Sequence, residues 1–288
     1  MTLQRTDFRF FHPLRVRWAE VDMQQIVFNA HYLMYLDTAM GEYWRALAMP
    51  YQESMLLLGG DMYVKKSTLE YHASARYDDL LHVGLRCARV GNSSMGFEGG
   101  VFRGDSLLVS GELLYVFADP HTQTSRPVPE ALRQAFAAQN AGEALTTTTV
   151  GTWQALAAHI TPLRRAVFVD EQGIAEHLVV DEADPGAVHG VVRNRLGQVV
   201  ASGRLLVEAP GVARIGRMAT HRVLRGGGLG LQVLRALVQA ARERGDAEAM
   251  LHAQCSAEGF YLREGFVRRG PVFVEAGIAH QEMVLRLA

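Results

Sequence analysis

Residues 214–230 read RIGRMATHRVLRGGGLG. The stretch leaves a strand, Val212–Thr220, turns through the glycine-rich Arg225–Gly230 and enters a helix, Leu229–Arg244. Residues without side chains let a backbone approach a diphosphate closely, and a helix start offers it N–H donors. A glycine cluster alone is weak evidence, because most are flexible turns. No acidic partner at dinucleotide spacing and no Gly-Lys-Ser/Thr follow, so it is neither a dinucleotide fingerprint nor a Walker loop. Around this centre, Trp153–Val169 reads as a helix, and Ala187–Asn194 pairs with Gln198–Leu206 through Leu196-Gly197. Met250–Gln254 is a strand, Ala257–Glu264 a helix, and Phe266–Val274 with His280–Leu287 close the sheet. The order is that of an α/β domain.

Upstream the pattern changes. Phe8–Trp18 reads as a strand, and His31–Leu47 carries apolar or aromatic residues around most of a helical surface, which predicts a largely buried helix. Met62–Tyr71, Leu80–Val90, Ser94–Arg103 and Ser106–Asp119 follow as strands separated by Asp-Asp, Gly-Asn and Gly-Asp turns, and Pro127–Ala138 as a short helix. One buried helix wrapped by a mostly antiparallel sheet is an α+β arrangement. Between the halves, Gln139–Thr152 (QNAGEALTTTTVGT) offers small and polar residues with little to bury, and reads as a linker. The expected division is a domain over 1–140, a linker over 141–151 and a second domain over 152–288.

Composition bounds the function. The chain has 288 residues, and its 29 basic and 30 acidic residues leave a net charge of −1, which carries no nucleic-acid footprint. The two cysteines, Cys87 and Cys255, lie far apart without metal-ligand spacing, so neither a disulfide framework nor a metal site is expected. The N-terminus lacks an apolar run of signal-peptide length, and no stretch is long and apolar enough for a membrane span. The expectation is a cytoplasmic protein.

Two segments carry chemistry. Residues 17–32, RWAEVDMQQIVFNAHY, set Asp22 just before the long helix. Helix-start N–H groups polarise an acyl oxygen, and a nearby carboxylate activates water or attacks a thioester itself. Asp22 equally suits a loop cap, and the residues alone leave both readings open. The segment resembles hotdog-fold acyl-CoA thioesterases of the hydroxybenzoyl-CoA thioesterase type. Further matches are Glu70–Asp79 (EYHASARYDD), Val116–Pro120 (VFADP) and Arg126–Pro129 (RPVP), and the resemblance covers about residues 8–138. It implies Asp22 as the catalytic carboxylate, the backbone N–H near Asn29 as the group polarising the thioester, and a homodimer or homotetramer built through this domain. Asn92, Ser93 and Ser94, in a turn, are candidates for binding CoA phosphates. One departure is Gln25, where the family usually has glycine, placing a bulkier side chain at the mouth of the expected site.

The spacing Arg225-x-x-Gly228-x-Gly230 resembles the acyl-CoA pyrophosphate loop of the GNAT acyltransferases. The same resemblance takes in Arg165–Gly173 (RAVFVDEQG), Leu251–Gln254 (LHAQ) with Ala257, Phe260-Tyr261 and Gly265-Phe266, and Glu275–Met283 (EAGIAHQEM). It implies that main-chain groups of Met218 and Thr220 pair with pantetheine, and that Arg225, Gly226, Gly227, Gly228, Leu229 and Gly230 hold the diphosphate. It also places Gln254 at the CoA cleft and Tyr261 as the acid that protonates departing CoA. Tyr261 equally suits a core aromatic. The base for an acceptor amine stays open among Glu171, His252 and His280. Together the two resemblances imply a bifunctional enzyme with no tightly bound cofactor, which hydrolyses an acyl-CoA and transfers an acetyl or acyl group from CoA to an amine. The alternative is an acyltransferase whose first half only binds acyl-CoA or dimerises.

Overall fold

Helix α1 (Asn29–Ala46) organises the first half of the chain because its apolar residues recur on almost every turn face: Tyr32, Tyr35, Leu36, Ala39, Met40, Tyr43 and Trp44 are all buried. In the computed structural model, which describes residues 3–287, the chain divides into two compact units after Leu145. The first unit contains β1 (Phe10–Arg15), α1, α2 (Tyr51–Leu58), β2 (Asp61–Tyr71), β3 (Leu80–Val90), β4 (Ser94–Arg103), β5 (Ser106–Ala118) and α3 (Glu130–Ala141). Its strands pair antiparallel in the order β1-β3-β4-β5-β2.

Leu36 shows how helix and sheet fit. Gly99 of β4 pairs with Gly111 of β5, and a Cβ added at these glycines would lie 2.4 Å and 2.7 Å from Leu36 methyl carbons. The glycine pair is a notch in the sheet, and the fully buried Leu36 fills it. Burial of such a side chain contributes about 2 kcal/mol.

The first predicted strand is shorter than expected. After Arg15 the chain enters a 3-10 turn, Trp18–Glu20, because the buried Glu20 carboxylate turns back on it. It accepts hydrogen bonds from Arg17 N–H (2.7 Å), Arg17 Nε (2.7 Å) and the Tyr35 hydroxyl (2.8 Å). Helix α2 was not anticipated; it is bracketed by Pro50 and by Gly59 in the left-handed region at φ +69°.

The second unit contains β6 (Thr146–Thr152), α4 (Trp153–Arg164), β7 (Val188–Asn194), β8 (Val199–Ala209), β9 (Val212–Thr220), α5 (Leu229–Arg244), β10 (Glu248–Gln254), α6 (Glu258–Arg263), β11 (Val267–Glu275) and β12 (Ile278–Arg286). The sheet order is β11-β12-β10-β9-β8-β7-β6; β9 and β10 run parallel and the other pairs antiparallel. The linker reading of 141–151 is corrected here. Thr146–Thr152 is the edge strand β6, paired with β7 from Thr146–Asn194 to Thr152–Val188. Threonine is β-branched and suits a half-exposed strand, so a low apolar content did not mean irregular chain. The Thr146 and Thr148 hydroxyls also reach Gln232 Oε1 on α5, at 3.1 and 3.2 Å.

The predicted helix over Trp153–Val169 is also two elements: α4 ends at Arg164 and continues as a wider π turn, Arg165–Glu171. Beneath it lies a charged core. Arg164 and Arg204 both donate to Asp184 Oδ1 at 2.9 Å, and Arg204 also engages Asp181. His189 donates from Nε2 to the Asp184 carbonyl (2.9 Å) while Nδ1 accepts from Arg164 (3.1 Å), which defines a neutral ring. Burial pulls the pKa of His189 below its ordinary value, consistent with that state.

Candidate functional site

In the first unit, the loop before α1 is a tight hairpin. Val21 bridges Val27, Asp22 N–H donates to Ile26 O (2.9 Å) and Gln25 N–H to Asp22 O (2.9 Å). Gln25 closes this turn at φ +61°, the left-handed conformation that favours glycine. The hairpin is tied down by Phe28 N–H to Glu20 O and Val27 N–H to Ala75 O, each 2.9 Å. Glu20 stays ionised: burial raises its pKa, but bonds from the Arg17 backbone and side chain and from Tyr35 outweigh burial and leave it low.

Between this hairpin, the start of α1 and the segment after β2 lies a cleft of about 460 Å³. Asp22, Val27, Asn29, Tyr32, Tyr71 and His72 are among its lining residues. Asn29 is the first residue of α1, where backbone N–H groups have no acceptor within the helix. The Tyr71 hydroxyl donates to Asn29 O (3.2 Å), Ala75 N–H donates to the Tyr32 hydroxyl (2.8 Å), and His72 Nε2 lies 2.9 Å from Ser110 Oγ. Asp22 Oδ1 accepts the Gln24 N–H at 2.8 Å, so one of its oxygens caps the turn. Gln24, the neighbour of Gln25, is among the lining residues.

The turn holding Asn92, Ser93 and Ser94 is not part of this cleft. Ser94 pairs with Val116 at one end of the sheet, whereas Tyr71, on the cleft, pairs with Val109 at the other. Carbonyls of the turn are already engaged: Asn92 O accepts from Val128 N–H (2.7 Å) and Arg133 (3.0 Å), and Ser93 O from Phe117 N–H (2.8 Å). Within one protomer, the three residues and Asp22 do not meet.

In the second unit the sheet forks. Parallel pairing of β9 and β10 runs from Val212–Glu248 to Ile215–Leu251 and stops there. Beyond the fork, the edge of β9 that carries Met218 and Thr220 has no strand partner on the β10 side among the described residues. On its other side, β9 slips register against β8, and Arg217 takes up the bulge at φ +51°. Arg217 is pinned by Leu178 O at 2.6 Å and Asp181 Oδ2 at 2.7 Å.

The glycine loop closes the end of β9. Gly226 and Gly228 sit at φ +85° and +80°, conformations costly for other residues, and Gly228 is the N-cap of α5. Leu229 is buried and anchors the helix start, while Gly230 packs against β9: a Cβ there would lie 3.1 Å from Thr220 Oγ1. Arg225 opens the loop and pairs with Glu171 of the π turn. Gln254, at the end of β10, donates to Gln172 Oε1 at 3.2 Å. Tyr261 is 8% exposed and makes edge contacts with Phe260 and Phe266, ring centroids 4.8 and 5.9 Å apart. Burial pushes its hydroxyl up to about 12, so it carries its proton at neutral pH.

The Acetyltransferase (GNAT) domain model matches residues 157–287, and the Thioesterase superfamily model matches residues 24–110. A UPF0039 protein of Schizosaccharomyces pombe is 36% identical over 43% of this chain and 84% of its own length. The uncharacterized N-acetyltransferase YjcF of Bacillus subtilis is 31% identical over 42% of this chain and 86% of its own. The chain joins a thioesterase-superfamily hotdog domain to a GNAT domain. The acyl-CoA thioester hydrolase YbgC of Escherichia coli O157:H7 resembles the hotdog half, with 27% identity over 46% of this chain and 98% of its own. Both families take CoA thioesters as substrates and need no tightly bound cofactor.

Asp22 and Asn29 thus share one cleft of the hotdog half, although Asp22 precedes the matched span. Met218, Thr220, Arg225–Gly230 and Gln254 lie on elements that converge at the fork of the GNAT half. The sequence reading missed the lining groups Tyr32, Tyr71 and His72; the last two stand inside the quoted EYHASARYDD segment, which was the available signal. It also missed Gln172 and the partners of the candidate bases. Glu171 is paired with Arg225, whose hydrogen bonds hold its pKa below the ordinary value. Among the described residues no group of three His, Cys, Asp or Glu gathers as a metal site, and no helix is long and apolar enough to cross a membrane.

Proposed function

We propose that the chain is a bifunctional acyl-CoA enzyme, hydrolysing an acyl-CoA in the hotdog half and passing an acetyl or acyl group from CoA to an amine in the GNAT half. The observation that carries the transferase is the fork at Ile215–Leu251, with the open edge of Met218–Thr220 running into the Arg225–Gly230 loop. Pantetheine amides would add to that edge as a strand does, and the loop would receive the diphosphate. Tyr261 would protonate the departing thiolate. In the hotdog half, Asp22 would activate water, or attack the thioester, beside the amide of Asn29. The assembly proposed is a homodimer or homotetramer through the hotdog half, in which Asn92–Ser94 of one protomer would reach CoA bound to another.

A second reading has its own support. Asp22 Oδ1 is committed to the Gln24 N–H, which suits a hotdog half that binds acyl-CoA or dimerises without turnover.

The test is thiol release from acetyl, medium-chain and aromatic acyl-CoAs, with and without added amines. Amine-independent release that disappears in Asp22→Ala, with amine-dependent release intact, supports two working sites. Release that always requires an amine leaves the hotdog half as the binding module of the second reading. Light scattering of the purified chain reads the assembly.

A further inference from the structure

The acceptor amine of the proposed transferase needs a group to take its proton, and one imidazole stands apart from the other candidates. His252 is the first residue of β10 beyond the last pair with β9, Ile215–Leu251, which puts it at the base of the fork. Residues two apart share a strand face, so His252 lies on the same face as Gln254, which touches Gln172 across the cleft. His252 Nδ1 is 2.8 Å from Glu275 Oε2 on β11, and its ring packs edge-on against Phe273, with centroids 4.7 Å apart.

Nδ1 meets two groups of opposite demand: the Glu275 carboxylate can only accept there, and Arg214 Nη2 can only donate. With the proton on Nδ1 turned to the shorter, carboxylate contact, Nε2 is left as the acceptor. No partner meets Nε2 among the described residues. From β9, Arg214 Nη2 lies 3.1 Å from Nδ1, and the same guanidinium approaches Glu208 at 3.4 Å. From β12, Glu282 is the register partner of His252 but is bound by Arg269, and His280 is the partner of Gln254. The ring of His280 stacks on Phe273, and its Nδ1 is bound to Ile278 O at 2.8 Å with no carboxylate behind it. Glu275 stays ionised: burial works against this, but His252, His280 and Arg214 hold its pKa low.

We infer that His252 is the general base of the GNAT half, with Glu275 as the residue that orients it. The assignment rests on the transferase reading above. The acceptor enters as an ammonium ion and its nitrogen loses two protons. His252 Nε2 takes the first and releases it to solvent. The neutral nitrogen then adds to the thioester carbonyl carbon. As the C–S bond breaks, the Tyr261 hydroxyl protonates the sulfur and is reprotonated by the second N–H. The products are an amide and free CoA.

A nucleophile that is already unprotonated at neutral pH has little need of this base. We would follow CoA release from acetyl-CoA with benzylamine, putrescine or hydroxylamine as acceptor, in the full chain and in His252→Gln and Glu275→Gln. For His252→Gln, the expected loss with the alkylamines is about 100-fold. The loss with hydroxylamine should be at least tenfold smaller, and the residual rate with the alkylamines should rise with pH in step with the fraction of free amine. Glu275→Gln should fall between, with hydroxylamine transfer again the less affected. Calorimetric binding of acetyl-CoA reports whether each variant is folded. Equal losses with all acceptors, or none, overturn the assignment and leave His252 structural. No transfer by the unmodified chain to any acceptor overturns the transferase reading, and the assignment with it.

Discussion

Arg225 Nη1 and Nη2 donate to Glu171 Oε1 and Oε2 at 2.6 and 2.8 Å, so the guanidinium at the head of the glycine loop already faces a carboxylate. A bidentate pair of this kind is geometrically strong, but both side chains are partly exposed and screened. In the proposed complex, an arriving diphosphate competes with Glu171 for Arg225. Glu171→Gln should therefore lower KM for acetyl-CoA about three- to tenfold at low salt, with a smaller effect as salt rises. Initial-rate kinetics at two ionic strengths checks it. Arg225 depresses the pKa of Glu171, so the pair persists through neutral pH and is lost only as pH falls through that lowered value. Variant and parent should converge there. A raised KM would show instead that Glu171 aims Arg225 at the ligand.

Gln25 is the next test, because its backbone and its side chain point to opposite requirements. A non-glycine residue at φ +61° bears a left-handed penalty of about 1–2 kcal/mol, while glycine costs the unfolded chain about 0.5–1 kcal/mol of extra freedom. Gln25→Gly should stabilise the hotdog half by about 0.5–1 kcal/mol, read as a rise of a few degrees in its Tm. A fall in Tm would mean that the Gln25 side chain makes contacts worth more than the strain. Thioester hydrolysis measured on the same variant asks separately whether the strained turn matters to Asp22.

Much of this molecule is legible in its sequence where local chemistry and tertiary demand agree. The strands Leu80–Val90, Ser94–Arg103 and Val212–Thr220 and the helix Leu229–Arg244 stand at the boundaries their patterns predict. The failures have particular causes. Thr146–Thr152 has the backbone preference of a strand without its apolar signal, and only the neighbouring β7 makes it one. The Trp153–Val169 period runs unbroken through a change from α to π geometry, because both keep the apolar residues on one side. For the sites, Tyr261 and the glycine loop are motif residues, but the partnership of His252 with Glu275 links β10 to β11 across 23 positions, which no spacing rule spans. The pairing of Glu171 with Arg225 likewise spans 54 residues.

Leu36 and the Gly99–Gly111 notch predict a coupled pair of effects. Gly99→Ala places a methyl group 2.4 Å from Leu36 Cδ2, and overpacking of this kind costs about 1–3 kcal/mol. Leu36→Ala empties the notch and costs about 2–5 kcal/mol. Their combination should cost clearly less than the sum, because the new methyl occupies space that the shortened side chain vacates. Denaturant unfolding of the two single variants and the double supplies the cycle. Simple additivity would mean that the sheet, and not Leu36, yields to the methyl.

Asp184 should be the most sensitive single position in the GNAT half. It is fully buried and receives hydrogen bonds from Arg164 and Arg204, and Arg164 is itself fully buried. Asp184→Asn keeps the shape but leaves the buried Arg164 without its carboxylate partner, while Arg204 keeps Asp181; breaking a buried pair in this way costs about 3–5 kcal/mol. Two depressed pKa values in this charged core contribute to the pH dependence. Burial alone would raise Asp184, but bonds from Arg164, the Asp181 backbone and Arg204 hold it below 3.8; its stabilisation is present above the unfolded value and lost as pH falls through the folded one. Burial lowers His189 from 6.5, so stability also begins to fall once pH drops below the unfolded histidine value, where the unfolded chain binds the extra proton. Unfolding of the GNAT half should therefore become easier in two stages, near pH 6 and again in strong acid. In Asp184→Asn the acid stage should shrink but not vanish, because burial of Asp181 is outweighed by its bonds from Arg204 and it too is held low, at about 2. Chemical denaturation between pH 3 and 8 reads both stages; an acid stage undiminished in the variant would place that transition on the other carboxylates.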